Sequence, residues 1–126
     1  MKKGRVLIVD DGKLNRLLAK RYIEKLGHKV NEATDGIEAL DVVRKFKPDL
    51  ILLDLQMPNM NGMECLKRLK EDNLLRYIPV IICTNVKDAD VIAECFENEA
   101  SEFINKPIDF KILRAMVNSL IKLSNH

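Results

Sequence analysis

Leu50-Ile51-Leu52-Leu53-Asp54-Leu55 is an apolar run interrupted by one carboxylate, too short for a helix and lacking the alternation of a half-exposed strand. Such a run fits a strand covered on both faces, as parallel sheets require. Residues 5–9 and 79–84 read the same way, whereas residues 29–33 and 102–105 mix polar and apolar side chains. Helical periodicity fills the intervals. Leu14, Leu17, Leu18, Ile23 and Leu26 form an apolar stripe opposite Lys13, Arg16, Lys20, Arg21 and Lys25, and Gly27 is placed to stop that helix. Further helices are expected over residues 36–46, before Lys47-Pro48, and over residues 62–72, 88–98 and 109–123.

Five repeats of strand then helix imply parallel strands, because each helix returns the chain to its starting edge. The expected fold is therefore α/β, a doubly wound five-stranded parallel sheet. The three wholly apolar strands belong at its centre and the two mixed ones at its edges. Order 2-1-3-4-5, the flavodoxin-like (βα)5 arrangement, meets that demand. One domain over residues 1–126 is expected, with no linker or low-complexity tract.

Composition narrows the function. Lys+Arg 21 against Asp+Glu 19 leaves a formal net charge of +2, too small to mark a direct nucleic-acid or membrane binder. No segment approaches the roughly 20 apolar residues that span a bilayer. The Met1-Lys2-Lys3 opening resembles a signal peptide, but Asp10-Asp11 ends the apolar run and no small-residue cleavage site follows. Cys65, Cys83 and Cys95 form no Cys-x-x-Cys pair and read as packed, reduced thiols, so a cytoplasmic location is expected. His28 and His126 show no partners in the sequence.

In an open α/β sheet, ligands bind beyond the carboxyl ends of the strands. Here those ends are polar: Asp10-Asp11 after strand one, Asp54 after Leu53, Thr84 at the end of strand four and Lys106-Pro107 after strand five. Order 2-1-3-4-5 makes strands one and three neighbours, gathering three carboxylates that repel one another and call for a cation. Mg²⁺ suits them, since it takes oxygen ligands and usually one or two carboxylates plus a phosphoryl oxygen. Asp54, projecting from a central strand, is then the candidate nucleophile toward phosphorus, with Lys106 as a charge and Thr84 as a donor for the phosphoryl group. Taken singly, Asp10-Asp11 would suit a helix cap, Lys106 a surface lysine and Thr84 an ordinary strand residue. Their convergence at one sheet edge favours chemistry.

With those residues in view, the chain resembles a response-regulator receiver domain, similar to the single-domain chemotaxis regulator, over nearly its whole length. The matching elements are Asp10-Asp11, the segment from Leu53-Asp54 to Asn61-Gly62, Thr84 and Lys106-Pro107. The resemblance implies a two-component or phosphorelay function. A sensor histidine kinase or histidine phosphotransfer protein would donate a phosphoryl group to Asp54, with Mg²⁺ held by Asp10 or Asp11, Asp54 and the Gln56 carbonyl. Thr84 and Phe103 would be switch residues. Helix four, strand five and helix five would change their surface for a downstream protein target or a phosphorylation-dependent homodimer. Self-catalysed transfer and autodephosphorylation are implied, without independent substrate turnover, and so is a cis Lys106–Pro107 bond. The pattern departs in two places. Asn85 stands where the family usually has Ala or Gly, narrowing phosphoryl access, and Glu99 stands where it often has Gly.

Competing readings are a receiver cut from a larger regulator or hybrid kinase, a Mg²⁺-dependent aspartyl phosphatase, a flavodoxin-like cofactor binder and a degenerate receiver. A dehalogenase-type phosphatase needs a second Asp two residues after the nucleophile, where this chain has Gln56. A flavodoxin-like loop should be rich in Gly, Ser and Thr, where this chain has Asp10-Asp11. The charges of helix four, Asp88, Asp90, Glu94 and Glu97, against Lys111, Arg114 and Lys122 of helix five are expected to divide their shared face electrically.

Overall fold

The computed structural model describes residues 3–124; Met1, Lys2 and His126, read above, lie outside the described residues. Its elements run β1 (Arg5–Val9), α1 (Lys13–Lys25), β2 (Lys29–Ala33), α2 (Gly36–Phe46), β3 (Leu50–Leu53), α3 (Gly62–Glu71), β4 (Val80–Thr84), α4 (Ala89–Glu97), β5 (Glu102–Asn105) and α5 (Phe110–Ser124). The strands form one sheet in the order β2-β1-β3-β4-β5, all pairs parallel. β3, β4 and, from Val6 onward, β1 are buried throughout, and they are flanked by β2 and β5, in which only Ala33 and Ile104 are buried.

The period of two along each strand divides the core into two layers. Leu7, Val9, Ile51, Leu53, Val80 and Ile82 face α2, α3 and α4, which contribute Ala39, Val43, Cys65, Leu66, Leu69 and Cys95. Val6, Ile8, Leu50, Leu52, Ile81 and Cys83 face α1 and α5, which contribute Ala19, Ile23, Leu113, Val117 and Ile121. All three cysteines are free and buried, and burial pushes the Cys65 and Cys83 thiols up to about 12.

Several element ends differ from expectation by a residue or two, each for a local reason. β3 stops at Leu53, because Leu55 turns to accept the Gly62 N–H at 3.0 Å. β4 starts at Val80, since Pro79 offers no N–H and enters the ladder only as acceptor from Ile51. Asp72 is not the last residue of α3 but its cap, and its carboxylate accepts the Leu74 and Leu75 N–H groups. Asp88 and Asn98 likewise cap α4, and Asp109 accepts from Lys111 and Ile112 at the start of α5.

The apolar stripe expected for α1 needs a larger correction. Ala19 and Ile23 meet the sheet, whereas Leu14, Leu17 and Leu18 are 65%, 39% and 48% exposed. Each residue turns the helix by about 100°, so Leu18 cannot share the inward direction of Ala19. The basic side is also less free than the sequence implies, because Arg16 and Lys20 both pair with Glu32 of β2. His28, expected to lack partners, is buried, and its Nδ1 accepts the Gly4 N–H at 2.9 Å.

Candidate phosphoacceptor site

The register that aligns Val9 with Leu53 brings the ends of β1 and β3 side by side. Asp10 and Asp54 follow those residues, and their N–H groups continue the ladder by donating to Ala33 and Val9 carbonyls. Both carboxylates are therefore fixed from the backbone outward. Asp10 and Asp54 are buried and Asp11 is exposed, and carboxylate oxygens of all three lie within 4.8 Å of one another.

Lys106 reaches this cluster from the loop after β5. Its N–H donates to the Thr84 carbonyl, its peptide bond to Pro107 is cis as expected, and its Nζ lies 2.5 Å from Asp10 Oδ2 and 3.1 Å from Asp54 Oδ2. Burial pulls the ammonium pKa down, but its bonds to Asp10 and Asp54 more than offset this and hold it above the ordinary lysine value. The second oxygen of each acid also has a donor: Gly12 N–H at 2.7 Å from Asp10 Oδ1, and Gln56 N–H at 3.3 Å from Asp54 Oδ1. A cavity of about 170 Å³, walled by Leu18, Ala19, Leu52, Cys83, Ile108 and Phe110, adjoins the acids. Such a wall keeps solvent off one side, where a charge interacts more strongly than in water.

The remaining predicted residues are set around this centre. Thr84 ends β4, one strand from Asp54, fully buried, with its hydroxyl oxygen accepting the Val86 N–H at 3.4 Å. The Gln56 side chain is exposed, leaving its backbone as the part nearest the acids. Phe103 pairs with Ile82 across the β5 edge and is half-buried, packed against the cluster that also holds Val86 and Val91. Asn85 is exposed beside Thr84. Glu99 adopts φ 68°, so the chain makes with glutamate the left-handed turn for which glycine is usual. On α4, Glu94 pairs with Lys67 of α3 at 2.8 Å, which corrects its expected place in a division between α4 and α5.

Some contributions to the site are visible only in the packing. A Cβ on Gly62 would stand 2.0 Å from the Asp54 carbonyl oxygen, so only glycine lets α3 begin against the backbone of that residue. Arg16 donates to the Asp10 carbonyl at 2.9 Å, and the Asn59 amide donates to Asp35 at 2.7 Å. Neither partnership follows from spacing.

The donor set fits Mg²⁺: hard carboxylate oxygens, two anchored and one exposed, close enough to share one ion and sited where a phosphoryl oxygen can join them. Asp10, Asp11 and Asp54 would hold the ion with the Gln56 carbonyl. The same cluster can also be neutralised from within the chain by Lys106.

Comparison with known proteins agrees with this geometry. The response regulator receiver domain family matches residues 6–118. The chain is 38% identical over 128 residues to sporulation initiation phosphotransferase F of Bacillus subtilis, covering 100% of each. It is 40% identical over 103 residues to the polar-differentiation response regulator DivK of Brucella anthropi, covering 82% of this chain and 84% of that relative. Among solved structures, the receiver domain of a signal transduction histidine kinase from Syntrophus aciditrophicus matches with a TM-score of 0.88 at 33% identity, covering 94% of this chain and 90% of that one.

Proposed function

The chain belongs to the response regulator receiver family of two-component signalling, and from that premise we propose that Asp54 is its phosphoacceptor. The observation that carries this reading is the anchored pair Asp10 and Asp54 with Lys106 between them, at the carboxyl edge of the sheet. An Asp54 oxygen attacks the phosphorus of a donor phosphohistidine. The P–N bond breaks, its electron pair leaves on the imidazole, and a mixed acyl phosphate forms. Lys106 Nζ, already at Asp54, would follow the charge onto the phosphoryl oxygens, and the Thr84 hydroxyl, at the end of the neighbouring strand, would turn to donate to them. Bound Mg²⁺ would neutralise the oxygens of the group in transfer. Water attack on phosphorus later returns the Asp54 carboxylate and inorganic phosphate, so the chemistry is self-catalysed and resets the switch.

A donor kinase or histidine phosphotransfer protein has to reach Asp54 past the start of α1. Exposed Leu14, Leu17 and Leu18 there, with Lys13, Arg21 and Lys25 around them, offer an apolar contact with a basic rim. The signal leaves by hydrogen bonds: Thr84 Oγ1 accepts Val86 N–H, and Asn105 of β5 donates to the Thr84 and Val86 carbonyls. Movement of Thr84 therefore bears on the loop before α4 and on β5, where Phe103 lies. A downstream protein, or a second copy in a phosphorylation-dependent dimer, reads that face. No helix among the described residues is long and apolar enough to cross a membrane.

Incubation with acetyl phosphate and Mg²⁺ followed by intact-mass measurement tests the assignment. Wild type gains a phosphoryl adduct and Asp54→Asn does not. An undiminished adduct in Asp54→Asn overturns it.

A further inference from the structure

The segment between Asp54 and α3 must leave the phosphoacceptor and return beneath it within a few residues. Its ends are pinned by backbone bonds, Gly62 N–H to the Leu55 carbonyl and Gly36 N–H to the Met60 carbonyl, each 3.0 Å. Met60 is buried against the start of α2, where a Cβ on Gly36 would come within 2.7 Å of its Cγ. Between these pins stand Gln56, Pro58 and Asn59, all exposed. Asn59 holds φ 64°, a conformation glycine adopts freely and other residues adopt at a cost. Its side chain supplies what glycine cannot. The amide donates to Asp35 Oδ2 at 2.7 Å, while Asp35 Oδ1 caps α2 by accepting the Glu38 N–H at 2.8 Å. The Glu38 backbone bond first and the Asn59 bond second hold the Asp35 carboxyl below its ordinary value, so Asp35 meets the amide as an anion.

We propose that Asn59 is a positioning residue, latching the loop of residues 56–61 to the cap of α2 through Asp35 and so holding the Gln56 backbone beside Asp54. The consequence for metal binding rests on the phosphoacceptor reading above, whereas the latch itself can be read without metal. Residues far apart in sequence thus share one oxygen pair: Asp35 both starts a helix and fixes the loop that follows the nucleophile. Loss of the amide leaves the pins at Leu55 and Met60 in place and frees only the segment between them.

The test uses the full chain with Asn59→Gly, Asn59→Asp and the exchanged pair Asp35→Asn with Asn59→Asp. Glycine keeps the backbone angle without strain and removes the amide. Aspartate sets two carboxylates against each other, and the exchange restores a donor facing an acceptor. Hydrogen exchange of the Gln56 and Met57 amides in metal-free protein reads the latch, and calorimetric Mg²⁺ titration reads its effect on the site. Expected are faster exchange and an Mg²⁺ dissociation constant raised about three- to tenfold in Asn59→Gly, the size of one hydrogen bond. Thermal stability should hold or rise in that variant, Asn59→Asp should be more affected, and the exchanged pair should return toward wild type. Unchanged amide exchange in both single variants overturns the latch, as does an exchanged pair no better than Asn59→Asp. Altered exchange with unaltered Mg²⁺ affinity overturns the link to the metal site. A wild type that binds no Mg²⁺ overturns the metal reading while leaving the exchange result to judge the latch.

Discussion

Among the described residues, Lys106 is the only cation that hydrogen-bonds both anchored acids, and its side chain is about as buried as theirs, 10% exposed against 9% for Asp10 and 8% for Asp54. Two carboxylates so placed need positive charge, and within the chain Lys106 supplies it. A divalent ion would be the other solution, and it would compete with Lys106 for these acids. Lys106→Ala should therefore bind Mg²⁺ more tightly than wild type while being less stable without it, by about 1–3 kcal/mol for acids left without their partner. Paired urea melts and calorimetric titrations check both halves. A variant with weakened Mg²⁺ binding would show that Lys106 organises the acids and does not rival the ion. In either case phosphorylation of the variant should be slower, since the charge that follows the phosphoryl oxygens is gone.

At the scale of elements, α4 ends on a turn whose left-handed residue is Glu99, with Ala100 N–H returning to the Cys95 carbonyl at 3.0 Å. Glutamate is costly there and glycine is not, so Glu99→Gly should stabilise the chain by about 1 kcal/mol, read as a higher urea midpoint with unchanged slope. A lower midpoint would mean that contacts of the Glu99 side chain outweigh the backbone cost. The turn itself could be anticipated from its place before β5, but its conformation could not, because glutamate is a poor sign of positive φ. The same division runs through the whole reading. Strand existence, strand order and the gathering of Asp10, Asp11, Asp54 and Lys106 follow from hydrophobic pattern and topology, which are properties of whole segments. Element ends depend on single groups, such as the missing N–H of Pro79 or the carboxylate of Asp72, and these escape periodicity. α1 departs from its pattern for a different reason: leucines at helical spacing do not say whether they meet a sheet or a partner, and Ala19 is too small to announce itself as the buried residue.

For the molecule as a whole, pH acts at opposite edges of the sheet. Lys106, at the carboxyl edge, is held above its ordinary value, so its contribution is complete below the unfolded value near 10.5 and is lost only as pH rises through the higher folded one. Asp35 and Asp72 are held below 3.8, so their contributions stand above that value and fade only in strong acid. His28 titrates between these limits. It lies under the amino edge, where Gly4 N–H donates to Nδ1 and Nε2 is buried with no hydrogen-bond partner among the described residues. Burial lowers its pKa from 6.5, and Asp49 opposes this without reversing it. As pH falls past 6.5 the unfolded chain takes up a proton that the folded chain resists, and protonation of Nδ1 in the fold would set N–H against N–H. Stability present above pH 6.5 should therefore decline toward the folded-state value, in a range where Asp35, Asp72 and Lys106 contribute no change. Urea midpoints of wild type and His28→Gln, measured from pH 8 to pH 5, isolate the effect, since every other titrating group is common to both. Wild type should lose stability relative to the variant as the pH drops, and parallel profiles would show that His28 is solvated enough to charge in place.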